Sequence, residues 1–425
     1  MLVVAYARSS NQDNHLYDIV ERLVICDDVC AATLDGLECL VLLAKSYTDI
    51  GQPRRAWATW RRGIMLALLM DLHRKETESP VERRLWLAIY HGDRFTSLLL
   101  GLPHGFHDAF LSVNLRTSTE NGPSPLRFVQ ETAFVAGKVI ERNVSTTKPS
   151  FALAMLLDEE MHKIRGIMLE EWWTVTDVLP SSHEGADDLR ERLLQQFFFY
   201  HVLMYIHLPF LGSDDYLHDA SRISCMMAAS QMLRRYKLFR AEGQGGVLFD
   251  CKTSDFVAFT AAVVIQIGLY GAGSKQSEHH EHMQLVVDIE EILHRERRAR
   301  ECRLAAQCLH TLSVLSSWGR RDASCYTTEI AIPYFGVVAR KQHATQNDRT
   351  PAASIHDTVL SAPTAPANRP AAKSSSVEEP CGEYWDFNMA CPTSRMFGAD
   401  DNLFPEDELQ MWMDMWSEDW PVPED

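Results

Sequence analysis

The run Ser79-Pro80-Val81-Glu82-Arg83-Arg84-Leu85-Trp86-Leu87-Ala88-Ile89-Tyr90-His91-Gly92-Asp93-Arg94-Phe95-Thr96-Ser97-Leu98-Leu99-Leu100-Gly101-Leu102-Pro103 decides the fold class. Ser79 is an N-cap residue, Pro80 suits the first helical position, and Glu82 follows at the third. The hydroxyl and the carboxylate can each satisfy a backbone N–H that the first turn leaves without a partner. Gly101-Leu102-Pro103 stops the helix. Between these signals Trp86, Tyr90, Asp93, Ser97 and Leu100 share one face, and Leu85, Ile89, Thr96 and Leu99 lie beside them. Both stripes together are too wide for a surface helix, so this one is expected to be largely buried. Asp93 then sits at an apolar stripe, where a carboxylate requires a partner. The expected one is an arginine from this or the preceding helix, such as Arg94 or Arg74.

Working outward, the same periodicity persists. Leu37 to Tyr47 is apolar on most sides, and Gly51-Gln52-Pro53 makes a turn. Trp57, Trp60, Ile64 and Leu68 line one face of a helix ending near Arg74. Further helices are expected at 150–173, 189–208, 219–240, 255–270, 281–298 and 301–317. Residues 15–340 therefore read as an all-α, multi-helix domain. The most apolar run, Phe256 to Tyr270, is shorter than the roughly 20 residues of a membrane span and reads as a fully buried helix. From about 341 the pattern stops. Residues 351–380 are rich in Pro, Ala, Ser and Thr, so 341–376 reads as a disordered linker.

Charge divides the chain. The net charge is −17 over 425 residues, and 377–425 holds fourteen acids against one base, Arg395. Tyr384, Trp385, Phe387, Phe397, Phe404, Trp412, Trp416 and Trp420 are threaded through those acids. A merely solubilising acidic tail has few aromatics. Interleaved acidic and bulky apolar residues fit an activation segment that folds on a partner. Leu409, Trp412, Met413, Trp416 and Trp420 fall on one helical face, with acids around the other side. Such a segment suits a coactivator groove, its aromatics anchoring and its acids speeding encounter. The competing reading is a tail that docks its tryptophans on the helical core or only solubilises.

The order of the motifs resembles a known family. Gly51-Gln52-Pro53-Arg54-Arg55-Ala56-Trp57 leads to Asp71-Leu72-His73-Arg74, then to Arg83-Arg84-Leu85-Trp86, Asp93-Arg94 and Gly101-Leu102-Pro103. This resembles the middle regulatory domain of fungal binuclear zinc-cluster (Zn2Cys6) transcription factors, and His207-Leu208-Pro209-Phe210-Leu211 is a further echo. The resemblance spans roughly 35–320. It implies structural roles for Trp57, His73, Arg74, Arg83, Arg84, Trp86, Asp93 and Arg94. Asp71 stands where the family usually has Gly, and Leu102 and Leu208 where it has Arg. The family's DNA-binding module is a six-cysteine cluster holding two zinc ions, built on Cys-x2-Cys and Cys-x6-Cys spacings. Cys26, Cys30 and Cys39 do not match it. The expectation is a regulator without that module in this stretch, with zinc a cofactor only if an N-terminal cluster precedes it.

Other constellations read more plainly. Asp214, Asp215 and Asp219 are the best hint of a helical metal-dependent enzyme, but no second metal motif accompanies them and they look like a loop leading to a helix N-terminus. Glu278, His279, His280, Glu281 and His282 have ligand chemistry and read as an exposed loop after Gly271-Ala272-Gly273. Arg295, Arg297, Arg298, Arg300 and Arg303 interleave with acids as a salt-bridged face. Ten dispersed cysteines read as reduced thiols. No Ser-His-Asp order, phosphate loop or dinucleotide fingerprint is present. No residue is singled out as catalytic, as cofactor-binding or as a metal ligand.

The expected function is nuclear transcriptional control of a metabolic or biosynthetic gene set. The partners are the coactivator or transcription machinery and a zinc-cluster factor or a second copy. DNA is engaged only indirectly or through a further module, because nothing concentrates enough positive charge to offset phosphates, and no membrane is involved. An alternative is an interaction protein that modulates a full-length zinc-cluster regulator.

Overall fold

The structure, a computed structural model, describes residues 14–74, 79–110, 122–176, 179–212, 216–243, 246–270, 276–300, 302–318, 329–332, 336–341 and 384–388. The linker and most of the acidic tail, with Phe404, Leu409, Trp412, Met413, Trp416 and Trp420, lie outside them.

Helix succeeds helix: α1 Asn14–Val20, α2 Asp28–Ala31, α3 Leu34–Asp49, α4 Pro53–Leu69, α5 Pro80–Leu100, α6 Pro125–Val144, α7 Phe151–Arg165, α8 Glu170–Trp173, α9 His183–His207, α10 Asp219–Phe239, α11 Lys252–Tyr270, α12 Gln276–Arg300 and α13 Arg303–Trp318. Sequence neighbours pack together: α3 on α4, α4 on α5, α5 on α6, α9 on α10, α10 on α11, and α11 on α12 and α13. Helix α11 also touches α3, bringing the two ends of the array together. Short connections make adjacent helices antiparallel partners, which favours such local packing.

One cap chemistry recurs. Ser79 accepts from the Glu82 N–H, Ser124 from Arg127, Ser150 from Leu153, Ser182 from Gly185 and Thr33 from Gly36. Ser124-Pro125 repeats the Ser79-Pro80 start and opens α6, a helix the periodicity had not singled out. At the other ends, α3 closes on Gly51 at φ 84°, α4 on Asp71 at φ 62° and α5 on Gly101 at φ 64°. In each case the next N–H reaches back five residues: Gln52 to Tyr47, Leu72 to Ala67, and Leu102 to Ser97. This is the Schellman closure, which requires a left-handed residue.

All of Trp86, Tyr90, Asp93, Ser97 and Leu100 are buried, as a wide apolar stripe demands. Helix α11 is long and apolar enough to cross a membrane by length and composition, and 94% of it is buried inside the protein.

Three differences from the expected architecture appear. Residues Glu329–Ile332 (β3) and Gly336–Lys341 (β4) are antiparallel strands, not helix. Tyr384–Asn388 (β5), inside the segment read as an acidic activation tail, pairs antiparallel with β4, Val338 opposite Phe387. These short β-branched and aromatic runs suit a strand better than a helix, and Ile330 and Ile332, two apart on one face, are both buried. Finally, His279, His280, Glu281 and His282 lie within α12 rather than in a loop. The first three are exposed, and Glu281 pairs with Arg234. A two-residue hairpin, Glu242–Gly243 (β1) with Gly246–Val247 (β2), completes the described strands.

Candidate functional site

The motif residues line the α4–α5 pair and the loops that follow each of the two helices. Trp57 on α4 donates its Nε1–H to Ser97 Oγ on α5 at 3.0 Å, and Ser97 Oγ donates to the Pro103 carbonyl at 3.2 Å. The indole thus fixes both the helix pair and the loop that follows. Trp60 lies flat against Gly92, where a Cβ would come within 2.4 Å of the ring. The glycine is required for that close approach.

Asp93 is fully buried. Its Oδ2 accepts the Gly105 N–H at 2.7 Å, which pins the loop after α5. The cation is an arginine of the preceding helix, as expected, though Arg61 rather than Arg74 or Arg94: Oδ1 lies 3.7 Å from Arg61 Nη1 on α4, an ion pair without a hydrogen bond. Burial pushes the Asp93 carboxyl above its usual range, while the Gly105 N–H, Arg61 and Arg94 pull it back. Arg94 is committed elsewhere. It lies 2.5 Å from Asp108, donates to the Phe106 carbonyl, and covers the Tyr90 ring at 3.6 Å. Sequence adjacency suggested Arg94 as the partner of Asp93, but consecutive helical residues point about 100° apart. The two therefore address different parts of the same loop.

His73 is buried against Phe106 and Trp86, at 5.7 and 6.3 Å between ring centres. Burial, then neighbouring Arg74, lowers its pKa. His73, Arg74, His104, His107 and Glu141 border a cleft of about 720 Å³. His104 Nε2 is 3.2 Å from Glu141, and burial holds His104 down to about 4. Among the described residues no group of three or more His, Cys, Asp or Glu is placed to hold a metal ion. Arg83 and Arg84 are on the first turn of α5, Arg84 exposed. Asp214 and Asp215 lie outside the described residues, and Asp219 opens α10 paired with Arg222.

One arrangement was invisible to the sequence. His207 Nδ1 is 3.0 Å from Ser221 Oγ and its Nε2 is 3.1 Å from Asp158. The residue types are those of a hydrolytic triad, but the ring is reversed: a triad places its serine on Nε2. Ser221 and His207 are also fully buried, out of reach of a substrate. The three residues clamp α9, α7 and α10 together. Arg142, which donates to the Tyr205 and Ile206 carbonyls, closes the same helix end.

The described residues between 14 and 318 thus form a helical body whose motif residues hold helices and loops in place. Sequence comparison finds relatives along it. A dehydrocurvularin biosynthesis regulator from Alternaria cinerariae is 25% identical over 392 residues, covering 81% of this chain and 50% of the relative. Transcription factor sdnS from Sordaria araneosa is 28% identical over 276 residues, 60% of this chain and 35% of the relative. Transcription factor eupR from a Phoma species is 31% identical over 209 residues, 46% of this chain and 44% of the relative. The chain is a relative of fungal transcription regulators. That agrees with its resemblance to the middle domain of the binuclear zinc-cluster factors. No family model and no solved structure matches the sequence. The chain spans about half the length, or less, of these fungal regulators.

Proposed function

We propose that this chain is the regulatory and activating part of a fungal transcription regulator that controls a biosynthetic gene set in the nucleus. The observation that carries the reading is the match to a biosynthesis regulator over 81% of the chain. The helical body gates, and the acidic-aromatic segment 377–425 recruits, its Trp412, Trp416 and Trp420 docking into an apolar coactivator groove. DNA is reached through a zinc-cluster module or a partner that carries one. A hydrolytic reading is disfavoured by the burial and reversed order of the triad-like residues, and of the aspartates behind a metal-dependent reading the described one, Asp219, is engaged with Arg222.

The test tethers the whole chain, residues 1–376 and residues 377–425 in turn to an unrelated DNA-binding domain before a reporter. Strong activation by 377–425, with less from the whole chain, is the expected result. Replacing Trp412, Trp416 and Trp420 by Ala should abolish it. A silent reporter in all three overturns the activation reading and leaves an interaction protein that modulates another regulator.

A further inference from the structure

Between α3, α5, α6 and α9 the helices leave a groove of about 930 Å³, bordered also by Phe249, Cys251 and Ser254. It is distinct from the cleft at His73, and none of the motif pairings explains it apart from Trp60 and Gly92, which form part of its floor. Its size lies in the range of small-molecule sites, roughly 300–1,000 Å³, and its lining combines apolar walls with charged and polar side chains.

The walls are Leu42, Leu87, Ala88, Phe95, Leu126 and Phe198. A well-packed helical interface would cover such side chains, yet Leu42 is 45% exposed and Ala88, Phe95 and Leu126 are half-buried. His91 stands among them with its ring edge-on to Phe198, 4.4 Å between centres. Burial lowers it to about 4, so at neutral pH it offers an uncharged ring nitrogen.

Three cations border the groove: Lys45 from α3, Arg84 from α5 and Arg190 from α9. Arg190 is tied to Asp187 on its own helix, but Lys45 and Arg84 form no ion pair among the described residues. Two acids share the rim. Glu191 accepts from Gln195, and burial pushes Asp49 up to about 7. The groove therefore pairs an apolar, aromatic interior with an edge where three cations outnumber two acids.

We propose that this groove binds a small, flat apolar molecule carrying one acidic group, the ring body lying against Ala88, Phe95 and Phe198 and the acid facing Lys45 and Arg84. Charged hydrogen bonds of this kind give selectivity for the anion over its neutral analogue, while apolar burial supplies the affinity common to both. Binding is read directly, so its outcome is independent of whether the chain activates transcription.

The test is calorimetric titration of the full chain with 2-naphthoate and with the neutral 2-naphthamide. Naphthoate should bind saturably at one site and about tenfold more tightly than the amide. Replacing both exposed cations, Lys45→Gln and Arg84→Gln, should bring the two ligands to within about threefold of each other and leave amide binding unchanged. Ala88→Trp, checked by circular dichroism, should block both. Absence of saturable binding overturns the proposal, as does an undiminished anion preference in the Lys45→Gln, Arg84→Gln protein. Binding that appears only when Trp412, Trp416 and Trp420 are Ala also overturns it, because the groove would then belong to the chain's own acidic segment.

Discussion

Asp93 on α5 and Asp255 on α11 are both buried carboxylates on long helices, and burial raises the pKa of each. Their environments differ. Asp93 accepts one backbone N–H, that of Gly105, and has Arg61 at 3.7 Å without a hydrogen bond. Asp255 accepts from Arg240 through Nε at 3.0 Å and Nη2, and from the Tyr236 hydroxyl at 2.8 Å. Arg240 in turn reaches Asp250 at 2.7 Å and Glu296 at 3.8 Å. The first carboxylate positions a loop. The second locks α10, α11 and α12 together by side chains alone. A backbone donor is satisfied by any acceptor of the right shape, whereas a buried ion network fails when one member leaves.

That contrast is open to tests, beginning with the largest effect. Arg240→Met strands Asp255 without its cation and should cost about 3–5 kcal/mol of stability in urea unfolding. A loss under about 1 kcal/mol would remove the distinction between the two sites. Asp93→Ala orphans the Gly105 N–H and should cost less, about 1–3 kcal/mol. An effect as large as that of Arg240→Met would show that Arg61 matters as much as the loop.

A third carboxylate extends the comparison to pH. Asp49, at the groove, is held up to about 7 by burial against the ordinary 3.8. Between those values the unfolded chain releases the proton while the folded chain keeps it. Stability therefore falls as pH rises through the window and is level above it. Asp49→Asn should remove a fall on the order of 1–2 kcal/mol, allowing for screening. Unfolding titrations of both proteins near pH ~4.5 and ~7.5 measure it, and equal slopes would refute it.

Two smaller effects probe the motif end. Trp57→Phe removes the hydrogen bond to Ser97 and should cost about 1 kcal/mol with the loop less protected from hydrogen exchange. Asp71→Gly should raise the melting temperature, by up to about 1 kcal/mol of stability, because Asp71 holds a left-handed backbone at φ 62°. No gain would mean that its contact with His73 Nδ1, 3.8 Å away, offsets the strain.

These sites also mark what the sequence makes legible. Asp93 was conspicuous because it interrupts an apolar stripe. The preceding helix was legible as a source of its cation, but not which arginine, since that depends on how the two helices are rotated against each other. Asp255 gave no signal at all. An acid in the first turn of a helix and an arginine at the end of one, like Arg240, are ordinary surface choices that complement the helix dipole. The same ambiguity hid the Asp158-His207-Ser221 clamp. Asp71 was visible only as a departure from the family's Gly, and its left-handed backbone supplies the reason that Gly is usual. The strands at 329–332, 336–341 and 384–388 were missed because runs of four to six residues carry too little periodicity to overrule a helical context.

Determined by sequence alone are the all-helical class, the starts and stops of most helices, the buried face of α5 and the acidic-aromatic character of 377–425. Each rests on periodicity, capping or composition within one stretch of chain. Only the tertiary structure decided which cation meets which carboxylate, that β5 pairs with β4, and that α3, α5, α6 and α9 leave an apolar groove with Lys45 and Arg84 at its edge. Those facts depend on distances between helices far apart in the chain. Local patterns fix which face of a helix is buried, but not what is packed against it.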